Sequence, residues 1–206
     1  MPLQNKVTPY SDIVATPARG IFMGNRGVLH DKEQRLGDAM WRNTRWIVCS
    51  LMPRAAPRIV MAPGHYTELF FLDEATALAA GHRPCAECRR DAFRAFAGAW
   101  ATSMGDGRVP KAPEIDQVLH AARLKDRRTQ KTTMAPLGKL PDGAFIRQGE
   151  EAWLRMGGRL LRWTFNGYDR STPASPSQQV TVLTPEPTLV ALANGYRPVL
   201  HPSASL

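Results

Sequence analysis

A chain of 206 residues, 43% hydrophobic and 22% charged, can bury a sizeable core and is neither low-complexity nor fibrous in composition. Its net charge of +9 and pI near 10.0 favour a polyanionic partner, DNA or RNA first. No apolar run approaches the ~18–20 residues that span a bilayer, and residues 1–10 lack the charged start and apolar core of a signal peptide. A cytoplasmic protein with no membrane partner is therefore expected.

In chain order, residues 1–19 read as a loose arm. "GIFMGNRGVLHD" has two short apolar runs around Gly24-Asn25-Arg26-Gly27 and predicts a hairpin. "RWIVCSLM" (45–52) predicts a strand, with a further short one at 58–61 and another in "YTELFFL" (66–72). Asp73 then suits a helix N-cap, with Glu74 in the first turn and Gly81 as the stop. "ECRRDAFRAFAGAW" predicts a helix, because Phe93, Phe96 and Trp100 recur at spacings of three and four. "EIDQVLHAARL" (114–124) predicts a second helix, with Ile115, Val118, Leu119 and Ala122 on one side.

From 126 to 140 the chain is basic and reads as a connector. Beyond Pro141, "PDGAFI", "EAWLRM" and "RLLRWTF" are short runs cut by Gly149 and Gly157-Gly158, the pattern of a β-meander. "DRSTPASPSQ" reads as a polar loop, "VTVL" as a strand, and Thr184-Pro185 opens a helix that Asn194-Gly195 closes. The expected fold class is α+β. An N-terminal zinc-binding α/β module (1–125) is followed by the basic connector (126–140) and a small β-rich module (141–206).

An internal echo runs through this order. "ALAAGHRP" (77–84) and "ALANGYRP" (191–198) agree at six of eight positions. In both, Gly suits a left-handed helix stop and Pro prevents the helix from resuming. The first copy continues into Cys85 and the second into Val199, so the Gly-x-Arg-Pro element is separable from any metal function.

Cys85 and Cys88 form Cys-x-x-Cys, half of a tetrahedral zinc site. A redox pair would want a thioredoxin-like βαβ context, which is missing; two unligated thiols are the remaining alternative. On the zinc reading Cys49, the third and last cysteine, is the third ligand. The fourth position is open among His65 (the first candidate), His82, His30, His120 and water. Water there would leave a three-ligand zinc, the catalytic arrangement.

"FFLDEATALAAGHRPCAECRR" resembles the second half of the metal-binding domain of Ada, the adaptive-response DNA-repair methyltransferase, and of related small zinc modules on nucleases. The resemblance covers about residues 45–95 and implies a zinc fold on nucleic acid, linked to DNA repair or processing. In that family a zinc-bound cysteine of the first half takes a methyl group from a phosphotriester. The family's first half supplies two ligands, whereas here only Cys49 stands there. The "PCAEC" stretch also fits half of a zinc deaminase, but no Glu follows at the required spacing.

The leading expectation is thus a zinc-containing nucleic-acid-binding protein. In it Arg83, Arg89, Arg90, Arg123, Lys125, Arg127, Arg128 and Lys131 meet phosphate. The rival is a zinc-dependent hydrolase or nuclease, with Glu68, Asp73 or Glu87 as base. A third possibility is an assembly module that meets an acidic protein. The aromatics Trp153, Trp163, Phe165 and Tyr168 read as core of the meander, or as a stacking surface beside Arg155, Arg159 and Arg162.

Overall fold

The structure, a computed structural model, describes residues 1–51, 59–102 and 108–205. Among the described residues, two six-stranded sheets and four α-helices make an α+β fold. The first sheet is built from β1 (Gln4–Val7), β2 (Ile13–Ala15), β3 (Phe22–Asn25), β4 (Ile47–Cys49), β5 (Leu69–Phe71) and β6 (Arg83–Pro84). Its order is β2-β1-β5-β3-β4-β6. The β1–β5 and β4–β6 pairs are parallel and the others antiparallel. The second sheet holds β7 (Thr133–Pro136), β8 (Phe145–Gln148), β9 (Glu151–Met156), β10 (Arg159–Thr164), β11 (Gly167–Pro173) and β12 (Gln179–Val182). It is antiparallel throughout, in the order β11-β10-β9-β8-β12-β7.

Helix α1 (Glu74–Ala79) lies between the sheets, with every residue buried. Asp73 caps it by accepting from the Thr76 N–H at 2.9 Å. Its Ala75 and Ala79 pack with Phe145, Leu154, Leu161, Tyr168 and Leu183 of the second sheet. Its Leu78 joins α2 (Arg90–Ala101), α3 (Ala112–Arg123) and α4 (Glu186–Ala193) through Phe96, Trp100, Ile115, Leu119 and Leu192. The short Ala side chains of α1 let both sheets approach one helix, so the two halves of the chain share a core.

Several sequence expectations give way here. The arm contains β1 and β2, and the Val7 and Ile13 side chains are buried. The hairpin around residues 24–27 does not form: β3 pairs with β4 and β5 instead. The cause is Arg26, fully buried, whose guanidinium is drawn into the interior where a hairpin tip would expose it. Residues 133–136 of the expected connector are an edge strand on β12, followed by the buried Leu137. Half of the expected polar loop at 169–178 belongs to β11. Val118 faces solvent at 48% exposure, leaving Ile115 and Leu119 to seat α3. No strand lies at 59–61, and the rest of that expected strand, at 58, lies outside the described residues.

Candidate metal centre

Alternation along β4 sets the first ligand. Val48 faces the core in register with Gly24 and Leu69, while Cys49 points to the opposite face beside Met23 and Phe70. β6 runs parallel to β4 and carries the chain directly to Cys85, whose N–H donates to the Val48 carbonyl at 2.9 Å. There the Cys-x-x-Cys segment folds as a tight turn before α2. The Glu87 N–H donates to Cys85 Sγ at 3.5 Å, and the Arg89 N–H to the Cys85 carbonyl at 3.2 Å. The Cys88 N–H also points to Cys85 Sγ, and the Ser50 N–H to Cys88 Sγ.

The Sγ atoms of Cys49, Cys85 and Cys88 converge to within 4.8 Å of one another, and no further His, Cys, Asp or Glu of the described residues joins them. Thiol donors, a tight turn and backbone N–H groups aimed at sulfur are the features that stabilise thiolates on a soft or borderline cation. Without a cation the three compete for charge. The Cys49 thiol donates to Cys85 and holds its pKa down to about 5, against the effect of burial. The same hydrogen bond, together with burial, pushes Cys49 up, and burial raises Cys88. A bound cation would remove this competition by taking all three as thiolates.

The histidines do not supply a fourth ligand. His65 is exposed and outside the cluster. His82 is fully buried. Its Nε2 accepts from Arg26 Nε at 3.2 Å, so its Nδ1–H donates to the Ala77 carbonyl at 3.3 Å. Burial first, then the charges of Arg26 and Arg123, hold this ring neutral with its pKa well below the usual imidazole range. His30 bonds Thr67 and the Ala62 carbonyl, and His120 bonds Arg123.

The expected phosphate contacts divide into two groups. Arg83, Arg89 and Arg123 are turned inward, which corrects the expectation that they meet phosphate. Arg83 makes two bonds to Asp116 of α3, at 2.9 and 2.8 Å, with both side chains almost fully buried. Arg89 pairs in the same way with Glu74 at 2.7 and 2.9 Å and covers the Phe22 ring. Arg123 donates to the carbonyls of Gly81 and Thr44 at 2.9 and 2.8 Å. The other five, Arg90, Lys125, Arg127, Arg128 and Lys131, are exposed. The candidate bases also take structural places. Glu68 accepts from the Met61 N–H, and Asp73 accepts from Thr76 and Tyr168; only Glu87 is exposed. Of the meander aromatics, Trp153 and Tyr168 are buried.

The sequence pattern gives no sign of one buried cluster. Trp46, fully buried, is stacked between two guanidiniums, Arg26 at 4.0 Å and Arg123 at 3.9 Å. Arg26 bonds Ser11 twice and His82 once. Burial, with the repulsion of Arg123, lowers Arg26 to about 9; burial likewise lowers Arg123 to about 9, against the attraction of Asp116. Both stay charged at neutral pH. Desolvated cation–π contacts of this kind contribute ~2 kcal/mol each. The sequence places Trp46 in a strand and Arg26 in a turn, and neither position carries a periodic signal.

Comparison with family models, curated proteins and solved structures finds no match to this chain. Among the described residues no helix is long and apolar enough to cross a membrane.

Proposed function

We propose that this chain is a zinc-centred nucleic-acid-binding protein. Cys49, Cys85 and Cys88 would hold the ion, and the exposed cations that follow α3 would meet phosphate. The observation that carries the reading is the convergence of three thiols on the β4–β6 pair. A zinc ion there joins two short strands that share few hydrogen bonds of their own, and so contributes directly to folding. Those strands are also the ones that hold the basic region. β4 begins next to Trp46, which stacks on Arg123, and β6 contains Arg83, which anchors α3 through Asp116. The net charge of +9 supplies the complementary field. The resemblance of residues 45–95 to the Ada metal-binding domain supports the same reading.

Metal analysis of the purified chain tests it, together with nucleic-acid binding across a salt series. The expected result is one zinc per chain, lost in Cys49→Ser. Affinity should fall steeply with salt, and chelation should weaken it. A wild-type chain that binds no nucleic acid at low salt, or that takes up no zinc, overturns the proposal.

A further inference from the structure

Two loops distant in sequence are fastened side by side. The first, 38–46, carries Trp41, Arg42 and Arg45; the second, 124–131, carries Lys125, Arg127, Arg128 and Lys131. Trp41 Nε1 donates to the Arg127 carbonyl at 3.2 Å, and Arg123 Nη2 donates to the Thr44 carbonyl at 2.8 Å. Arg128 also reaches Asp38 at 3.6 Å. The second loop is a fixed turn. Its ends are joined by Lys125 N–H to the Thr129 carbonyl and Lys131 N–H to the Arg123 carbonyl, at 2.9 and 3.0 Å. Asp126 accepts from the N–H groups of Arg128 and Thr129 at its tip.

The two adjoining loops thus carry six exposed cations and two carboxylates, Asp38 and Asp126. One of those is engaged with Arg128 and the other with the backbone. Beneath the face lie two more positive charges, Arg26 and Arg123, on either side of Trp46. Neither makes a hydrogen bond to a carboxylate among the described residues. Charges under a protein skin are screened little by salt, so they reinforce the surface field. Trp41, half-buried, bridges the two loops: its ring meets the His120 ring in a T-shaped contact at 4.5 Å and its N–H is already satisfied by the Arg127 carbonyl.

We infer that this two-loop face binds a single nucleic-acid strand, with Trp41 as the stacking platform for a base and Arg42, Arg45, Lys125, Arg127, Arg128 and Lys131 along the phosphates. The inference rests on the nucleic-acid reading above and adds to it the surface and the form of the ligand. A pre-oriented aromatic among cations on loops is the arrangement that takes unstacked bases without sequence preference. A duplex keeps its bases stacked and would use only the charges.

The test is anisotropy titration of the zinc-loaded chain with a labelled 20-nucleotide dT strand and with a 20-base-pair duplex of mixed sequence, each over a salt series. Trp41→Ala should weaken strand binding roughly 5- to 100-fold with the salt slope unchanged. Arg42→Glu/Arg127→Glu should lower the salt slope by about 1.4, two single-strand phosphate contacts. The control of equal charge change, Arg147→Glu/Arg170→Glu on the second sheet, should lower it far less. These exposed arginines leave the fold intact, which keeps the test valid even where Trp41→Ala melts early. If the wild type binds neither ligand, the nucleic-acid reading itself fails. If it binds but both double variants weaken alike, only the face is wrong. Tighter binding of the duplex, or a Trp41→Ala variant that melts normally and binds as the wild type does, overturns the strand assignment.

Discussion

Asp116→Ala separates an architectural arginine from a phosphate-binding one. Arg83 and Asp116 have side-chain exposures of 4% and 3%, and their two bonds fix α3 to β6. The third arm of the guanidinium donates to the Pro84 carbonyl at 2.9 Å, one residue before Cys85. Removing the carboxylate leaves a buried cation with two donors unpaired, which costs about 3–5 kcal/mol. In a chain of this size that is roughly 6–20 °C in melting temperature. Thermal unfolding of the zinc-loaded protein, followed by circular dichroism, measures it. Arg83→Met/Asp116→Leu removes both charges together and should return most of the loss, because the desolvation penalty disappears with the pair. The reasoning fails if Asp116→Ala melts within ~2 °C of the wild type. It also fails if Arg83→Met keeps its melting temperature while the salt slope for nucleic acid drops by one contact.

Two further changes probe the interior around His82. Its ring is held neutral, so below pH ~6.5 the unfolded chain takes up a proton that the native ring refuses. Stability should then fall as pH drops from ~6.5, by up to ~1.4 kcal/mol per pH unit. Urea midpoints at pH 7.5 and 5.5, in the wild type and in His82→Gln, isolate the ring's share from proton competition at the thiolates; equal slopes would show that the ring is free to protonate. Gly81 and Gly195 both have positive φ, 84° and 99°, but a Cβ at Gly81 would lie 2.6 Å from Arg123 Cδ, whereas at Gly195 nothing lies within 4 Å. Gly195→Ala should cost about 1–2 kcal/mol, the backbone term alone. Gly81→Ala should cost about 2–5 kcal/mol, because Arg123 must leave its place on Trp46. Equal losses in urea denaturation would show that Arg123 yields freely.

What was legible in the sequence is what is set locally. Asp73 followed by Glu74 marked a helix start, Phe96 and Trp100 marked a buried face, and glycines at 149 and 157–158 marked the meander turns. The cysteine triad was legible too, because only three cysteines exist and a tight turn already brings two together. The illegible part depends on distant partners. Nothing near Arg83 announces Asp116, thirty-three residues on, so a surface role was the natural expectation. Arg26 looked like a turn residue because its partners, Ser11 and His82, come from other elements. Trp41 gained its significance only when Arg127 was placed beside it, eighty-six residues away.

The internal echo shows why the expected module boundary does not divide the structure. In each copy a helix follows a strand, β5 in one sheet and β12 in the other. The two helix ends then fold alike. His82 N–H reaches the Ala77 carbonyl at 3.0 Å and Tyr196 N–H the Ala191 carbonyl at 3.0 Å, and both rings are buried. After the ring the copies diverge. The first sends Arg83 inward to Asp116 and continues to Cys85. The second leaves Arg197 at the surface and turns Tyr196 and Val199 onto Glu74, the first residue of α1, at 2.5 and 2.9 Å. Glu74 is also the partner of Arg89, the residue after Cys88. One local solution therefore serves twice: the first copy delivers the cysteines, and the second clamps the carboxylate that holds the chain just beyond them. The thiol cluster is supported from both halves, so truncation before residue 186 would remove part of its frame along with the C-terminal helix.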